Sequence, residues 1–340
     1  MPTSIPYETG VQFARHWDKN SYLLEKHGLY RHEHEQDSCG VGLIATLDGK
    51  PRRDVVEAGI AALKAVWHRG AVDADGKTGD GAGIHVEIAQ GFFKEHAENT
   101  GHRVKEGRLA VGMIFLPKTD LIAQETCREI VESEILRFGH GIYGWRQVPI
   151  DYTVIGEKAN ATRPEIEQVM ISNNLLVDEN QFEIDLYIIR RRIERMALQH
   201  HIKDFYICSL SCRTVVYKGM FLAEQLTAFY PDLLDDRFIS SFAIFHQRYS
   251  TNTFPTWRLA QPFRMIAHNG EINTIKGNKN WMKSHETRAI SEMFGDYNSE
   301  IFPLIEPDAS DSMALDSVTE ALVHAGRSIP YAHCMVIPEA

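Results

Sequence analysis

Hydrophobic and polar positions along the 340 residues change period several times, and each change predicts an element. Residues 41–47 form an apolar run closed by Asp48-Gly49, which predicts a buried strand ending in a turn. Asp54 can cap a helix in which Val56, Ile60, Leu63 and Trp67 share one face. His68-Arg69-Gly70 ends it, with glycine where helices usually stop. Strands follow at 84–89 and 109–116. Helical spacing then runs over 120–138, with Cys127, Ile130, Val131, Ile135 and Phe138 inward, and over 178–200, with Phe182, Leu186, Ile189, Ile193 and Met196 inward. On the second helix the cluster Arg190-Arg191-Arg192, Glu194 and Arg195 reads as a solvated face. Residues 205–217 alternate as a strand or hairpin, setting Cys208 and Cys212 on one face. Further strands are predicted at 238–249 and 263–267. Ser310-Asp311-Ser312 opens a last helix, with Leu315, Val318 and Leu322 inward and Gly326 at its end.

Strands outnumber helices in this reading, and no strand–helix unit repeats. The pattern is α+β with antiparallel sheets, not a dinucleotide-binding doubly wound fold. Residues 1–38 stand apart: polar, weakly periodic and ending in a charged run, they read as a solvated leader. His32 and His34 lack a third ligand nearby and do not make a metal site. Hydrophobic residues at 44% and charged residues at 24% suit a globular protein. A net charge of −10 argues against nucleic acid and against an anionic membrane surface. No run approaches the roughly 18 apolar residues that span a bilayer. Five cysteines with no disulfide-framework spacing, and no apolar stretch of signal-peptide type, predict a reduced, cytoplasmic protein.

Four places hold candidate chemistry. Cys39 heads the first strand and is followed by Gly40-Val41-Gly42, glycines that let another molecule approach closely. Arg248 lies at a strand end and offers a fork for a carboxylate. Asn269-Gly270 can present a side-chain amide and a backbone N–H to a developing oxyanion, and Asp311 can pair with an ammonium group. Read without any relative, each keeps a plainer alternative: a buried structural thiol, an Arg248–Asp311 ion pair, a hairpin turn. The loop 71–83 imitates a P-loop at Gly76-Lys77-Thr78, but Ala71 stands where that motif needs its first glycine. It also imitates a calcium loop, but Lys77 and Ile84 occupy ligand positions. Its glycines and aspartates instead suit a backbone folded tightly around a site.

Seven motifs occur in an order that resembles the class II glutamine amidotransferases. They are Cys39-Gly40-Val41-Gly42, His68-Arg69-Gly70-Ala71, Thr78-Gly79-Asp80-Gly81-Ala82-Gly83, Tyr217-Lys218-Gly219, His246 to Asn252, Ala267 to Thr274, and Ser310-Asp311-Ser312. Their extended forms look like those of the large subunit of bacterial glutamate synthase. The resemblance implies an N-terminal-nucleophile hydrolase fold, a four-layer α/β/β/α sandwich of two antiparallel sheets. It implies that the leader 1–38 is removed and that 39–340 form the amidotransferase domain, stopping short of the family domain's end. Cys39 would then be the nucleophile, with its own α-amine, of pKa about 8, as the base. His68 and His268 would be structural. By the same resemblance Asn269 and the Gly270 N–H form the oxyanion hole, and Arg248 and Asp311 hold the carboxylate and amine of glutamine.

A full synthase of this kind further implies FMN, a 3Fe-4S cluster, 2-oxoglutarate and a small NADPH-oxidising subunit partnering the remainder of the large subunit. No motif for a flavin, a nucleotide or an iron–sulfur cluster is present in this sequence. Two other functions compete: a glutamine-binding segment without turnover, and an amidotransferase serving another acceptor. The extended Thr78–Gly83 and Asn269–Thr274 forms argue for the synthase type.

Overall fold

Period-two and continuous apolar runs become eight strands in the computed structural model, which describes residues 10–28, 31, 40–249, 253–270, 272 and 274–337. In chain order they are β1 (Val41–Ala45), β2 (Ala82–Glu87), β3 (Ala110–Leu116), β4 (Gly141–Gln147), β5 (Glu165–Ser172), β6 (Tyr206–Ser211), β7 (Thr214–Gly219) and β8 (Phe242–Gln247). The helices are α1 (Gly10–His27), α2 (Arg53–Ala65), α3 (Gln90–Asn99), α4 (Leu121–Arg137), α5 (Glu157–Ala161), α6 (Glu179–Gln199), α7 (Leu226–Phe229), α8 (Ile275–Glu286), α9 (Asp311–His324) and α10 (Ile329–Val336). The chain divides into two units, 1–38 and 39–340. Taken by itself, the first unit contains α1, an element its weak periodicity does not announce.

In the second unit the strands form two four-stranded antiparallel sheets, ordered β1-β8-β2-β7 and β4-β5-β3-β6. The sheets face each other, with β7 against β3 and β6. Helix α2 packs on β1 and β8, while α4 and α6 pack against the second sheet. This α/β/β/α layering is the predicted α+β architecture. Caps set the helix starts where the sequence places them. Asp120 accepts the Ala123 N–H, Asp178 those of Asn180 and Gln181, and Ser310 that of Met313. Gly326, at φ 93°, follows the end of α9.

Six expectations are corrected. Among the described residues helices outnumber strands, ten to eight, because α8, α10 and short helices in connections carry little periodicity. Residues 205–217 are not a hairpin: β6 and β7 belong to different sheets, and the chain crosses between them at Cys212-Arg213. A bulge in β6 leaves Cys208 without a partner on β3. The side-chain alternation therefore slips, and Cys208 packs with Tyr206 and Tyr217 while Cys212 packs under α6 with Phe182 and Leu186. Residues 263–267 are not a strand, since the N–H groups of Met265 and Ile266 donate to the Asp316 carboxylate on α9. Trp67 lies beyond the end of α2 in a 3₁₀ turn and is 65% exposed.

The arginine cluster on α6 is the largest departure. Arg190, Arg191 and Arg192 are buried, because the 300–306 segment and α9 cover the helix on the side away from its sheet. Each cation meets acceptors there: Glu194 and Glu320 for Arg190, Glu194 and the Ile301 and Pro303 carbonyls for Arg191, Glu134 and Glu300 for Arg192. Buried arginine is stable only with such partners.

Candidate active site

The site is built where β8 ends. β8 lies between β1 and β2, so His246 stands opposite both Val41 and Gly83. The Gln247 N–H donates to the Gly40 carbonyl at 2.5 Å, fixing the entry to β1 against the exit of β8. Cys39, the residue before Gly40, lies outside the described residues, as do Ser250, Thr251, Asn252, Glu271 and Asn273. After Gln247 the backbone turns sharply. Arg248 adopts φ 133°, a region that costs a residue with a side chain about 1–3 kcal/mol. Its N–H donates to the Gly81 carbonyl at 2.8 Å, and its own carbonyl accepts from Gln261 N–H at 3.4 Å. Gly81 is itself at φ 139°, and a Cβ there would lie 3.3 Å from the Arg248 carbonyl group.

The Arg248 side chain pairs with Asp80, not with Asp311. Its Nε lies 3.3 Å from Asp80 Oδ2, and the arginine side chain is 41% exposed against 6% for the aspartate. Asp80 Oδ1 accepts the Ala71 N–H at 3.0 Å. Burial pushes the Asp80 carboxyl up, opposed by the Ala71 N–H and the Arg248 charge. The loop's other aspartates are used up by different partners. Asp75 receives the Thr78 hydroxyl and the N–H groups of Thr78 and Lys77, which hold it at about 2, and Asp73 pairs with Lys158 at 2.6 Å.

His268 is tied to β8 and Ile272 to α9. His246 Nε2–H donates to the His268 carbonyl at 3.0 Å, so its proton is on Nε2. Burial holds His246 down at about 4, hence neutral. Gln261 clamps the same residue on both sides: its Nε2 donates to the His268 carbonyl at 3.1 Å and its Oε1 accepts the His268 N–H at 3.3 Å. Asp311, buried at the start of α9, accepts the Ile272 N–H through Oδ2 at 3.0 Å and the Ser312 N–H through Oδ1 at 2.7 Å. Asn269 is half-buried and Gly270 exposed. In this structure the Gly270 N–H donates to His268 Nδ1 at 3.2 Å. Burial lowers His268, with Asp311 pulling the other way.

Arg248, Asn269-Gly270 and Asp311 are thus joined through a few intermediary groups: a guanidinium fork, an irregular stretch with an amide and an N–H, where the hairpin-turn alternative finds no turn, and a carboxylate at a helix start. Such a set can grip an α-amino acid and stabilise an oxyanion. Sequence reasoning missed Asp80, His246 and Gln261 as its supports. Asp80 and His246 lie inside the recognised motifs, whereas Gln261 carries no signal outside the fold. Among the described residues no group of three or more His, Cys, Asp or Glu could hold a metal, so their cysteines do not fit an iron–sulfur cluster. No described helix is long and apolar enough to cross a membrane.

Comparison with known proteins bears on this arrangement. Residues 39–340 match the family described as glutamine amidotransferases class-II. The glutamate synthase [NADPH] large chain of Azospirillum brasilense is 63% identical over 331 residues, covering 97% of this chain and 22% of that protein. The corresponding large chain of Bacillus subtilis is 43% identical, over 92% of this chain and 20% of its own length. The chloroplastic ferredoxin-dependent glutamate synthase of Spinacia oleracea is 42% identical, over 90% and 19% respectively. The chain therefore spans about a fifth of the curated relatives it matches, and the first match takes in most of the initial 38 residues.

Proposed function

The chain belongs to the class-II glutamine amidotransferases, and from that premise we propose that it hydrolyses the side-chain amide of glutamine with Cys39 as an N-terminal nucleophile. The observation that carries this reading is the β1–β8 junction. It sets Gly40, the neighbour of Cys39, against Gln247, one residue from Arg248. His246, in the same junction, is bonded to the His268 carbonyl, and Ile272, a few residues on, to Asp311.

Cleavage between Ser38 and Cys39 frees an α-amine that takes the thiol proton. Sγ attacks the amide carbon, the C–N bond breaks, and the proton leaves with ammonia. Water then hydrolyses the thioester to glutamate and returns the thiol. The Asn269 amide and Gly270 N–H serve the oxyanion, so the Gly270 N–H must leave His268 Nδ1 as substrate arrives. The Nη edge of Arg248 takes the α-carboxylate and Asp311 the α-ammonium. His246 is a poor choice of base: burial holds it at about 4, so its ring resists taking a proton, and its Nε2–H is committed to the His268 carbonyl.

In the whole protein this domain would act as the glutaminase part of a cytoplasmic glutamate synthase, delivering ammonia to 2-oxoglutarate. FMN, the 3Fe-4S cluster and contact with a small NADPH-oxidising subunit would then belong to the remainder of the large chain. Steady-state kinetics test the site assignment. Asn269→Ala should lower kcat about 10²–10³-fold with little change in KM, whereas Arg248→Lys and Asp311→Asn should mainly raise KM. An Asn269→Ala variant altered only in KM would rule out the oxyanion role.

A further inference from the structure

The segment Asp80-Gly81 holds Arg248 at two points. Gly81 fixes its backbone through the 2.8 Å hydrogen bond from the Arg248 N–H, and Asp80 faces its side chain from the Nε side at 3.3 Å. Asp80 is itself fastened to Ala71 twice: its Oδ1 accepts the Ala71 N–H, and its own N–H donates to the Ala71 carbonyl at 3.2 Å. The pair is one-sided, since the carboxylate is buried while the guanidinium reaches solvent. Asp80 Oδ2 and Arg248 Nε are both buried, yet they are not aligned as a hydrogen bond. The guanidinium is therefore held by charge and stays able to adjust as a ligand docks.

We propose that Asp80 is a positioning residue for the substrate, aiming the Nη edge of Arg248 at the α-carboxylate of glutamine. The inference rests on the reading of Arg248 as the carboxylate clamp. A guanidinium pairs with two carboxylates at once when each takes a different edge, and the edge facing Asp80 is the one a substrate cannot reach. Without the buried carboxylate, the strained backbone at Arg248 would leave its long side chain free among several rotamers. Each bound glutamine would then have to order it again. The loss should fall on binding of the α-carboxylate and on nothing else.

The test compares L-glutamine with L-glutaminamide, in which the α-carboxylate is a neutral amide, on the full chain after its own processing. Asp80→Asn keeps an acceptor for the Ala71 N–H but removes the charge. It should raise KM for glutamine about tenfold and change kcat and the glutaminamide KM less than about twofold. In an Arg248→Ala background the same substitution should add less than about twofold. Equal losses on both substrates, or an undiminished effect without Arg248, would show that Asp80 only staples the loop, and the proposal would fall. If Arg248→Ala itself leaves the preference for glutamine over glutaminamide intact, the clamp reading fails and takes this inference with it. Should Asp80→Asn not fold, Asp80→Glu, which displaces the charge, must show the same split between the two substrates; an unsplit loss would overturn the proposal.

Discussion

Substitution Glu320→Ala would remove the carboxylate at the centre of the ionic cluster that joins α6 to α9. Arg190 Nη2 donates to Glu320 Oε2 at 2.5 Å, and Arg264 Nε lies 3.3 Å from the same oxygen, all three side chains being nearly out of solvent. Burial opposes ionisation of Glu320, but the two guanidiniums outweigh it and hold its carboxyl below the usual range. Alanine leaves Arg190 with Glu194 as its carboxylate and Arg264 with the Ile207 carbonyl at 2.8 Å and Asp316, 3.8 Å away, as its carboxylate. Breaking a buried pair by deleting one partner costs about 3–5 kcal/mol. An unfolding entropy of about 2.1 cal/mol/K per residue converts that to a drop in Tm of roughly 5–8 °C for a unit of this size. Glu320→Gln, which keeps an acceptor without charge, should lose about half as much. Glutamine KM should hold in both, because Glu320 lies about 13 Å along α9 from Asp311. Thermal unfolding of the three proteins in parallel decides it. A fall of under 2 °C for Glu320→Ala, or a clear rise in KM at unchanged fold, would refute this account of the cluster.

Acid should destabilise the fold early. Burial holds both His85 and His246 at about 4, below the unfolded value near 6.5, so their contribution is fully present above about pH 6.5 and is lost as pH falls towards 4. At most that is about 3 kcal/mol each, and urea midpoints at pH 7.5, 5.5 and 4.5 should fall in that order; a flat profile down to pH 5 would contradict it. Gly70→Ala would place a Cβ 2.1 Å from Nε2 of Gln247, whose side chain is buried and has little room to shift, so it should cost about 1–3 kcal/mol and raise glutamine KM by disturbing the residue before Arg248. Normal stability and kinetics in that variant would mean that Gln247 does not buttress the site.

The sequence announces what local physics controls and is silent where tertiary contacts decide. Helices α4, α6 and α9 are legible because an apolar face and a capping Asp or Ser coincide. The crossing from β6 to β7 is not, since a bulge at one residue reverses the side-chain alternation without altering composition. Arginines of α6 read as solvent-facing because charge usually is; apart from Glu194 on the same helix, the carboxylates that cover them stand 108 to 130 positions further on, at Glu300 and Glu320, or back on α4 at Glu134. The same limit applies at the site. Arg248 and Asp311 are visible as a cation at a strand end and an acid at a helix start. That Arg248 turns to Asp80, and that Gln261 clamps the His268 backbone, depends on backbone geometry no local pattern encodes.

Labelling with a glutamine-shaped electrophile, followed by intact mass and peptide mapping, tests the central claim most directly. Burial pushes the thiols of Cys127 and Cys208 up to about 12 and that of Cys212 higher still, so these three should stay unmodified in the native fold, while Cys334 is exposed and has no reason to recognise glutamine. The account predicts a single adduct on Cys39, in a chain that has lost residues 1–38, and labelling should abolish its glutamine hydrolysis. An adduct on Cys334, or on a Cys39 still preceded by Ser38 in protein that turns over glutamine, would contradict it.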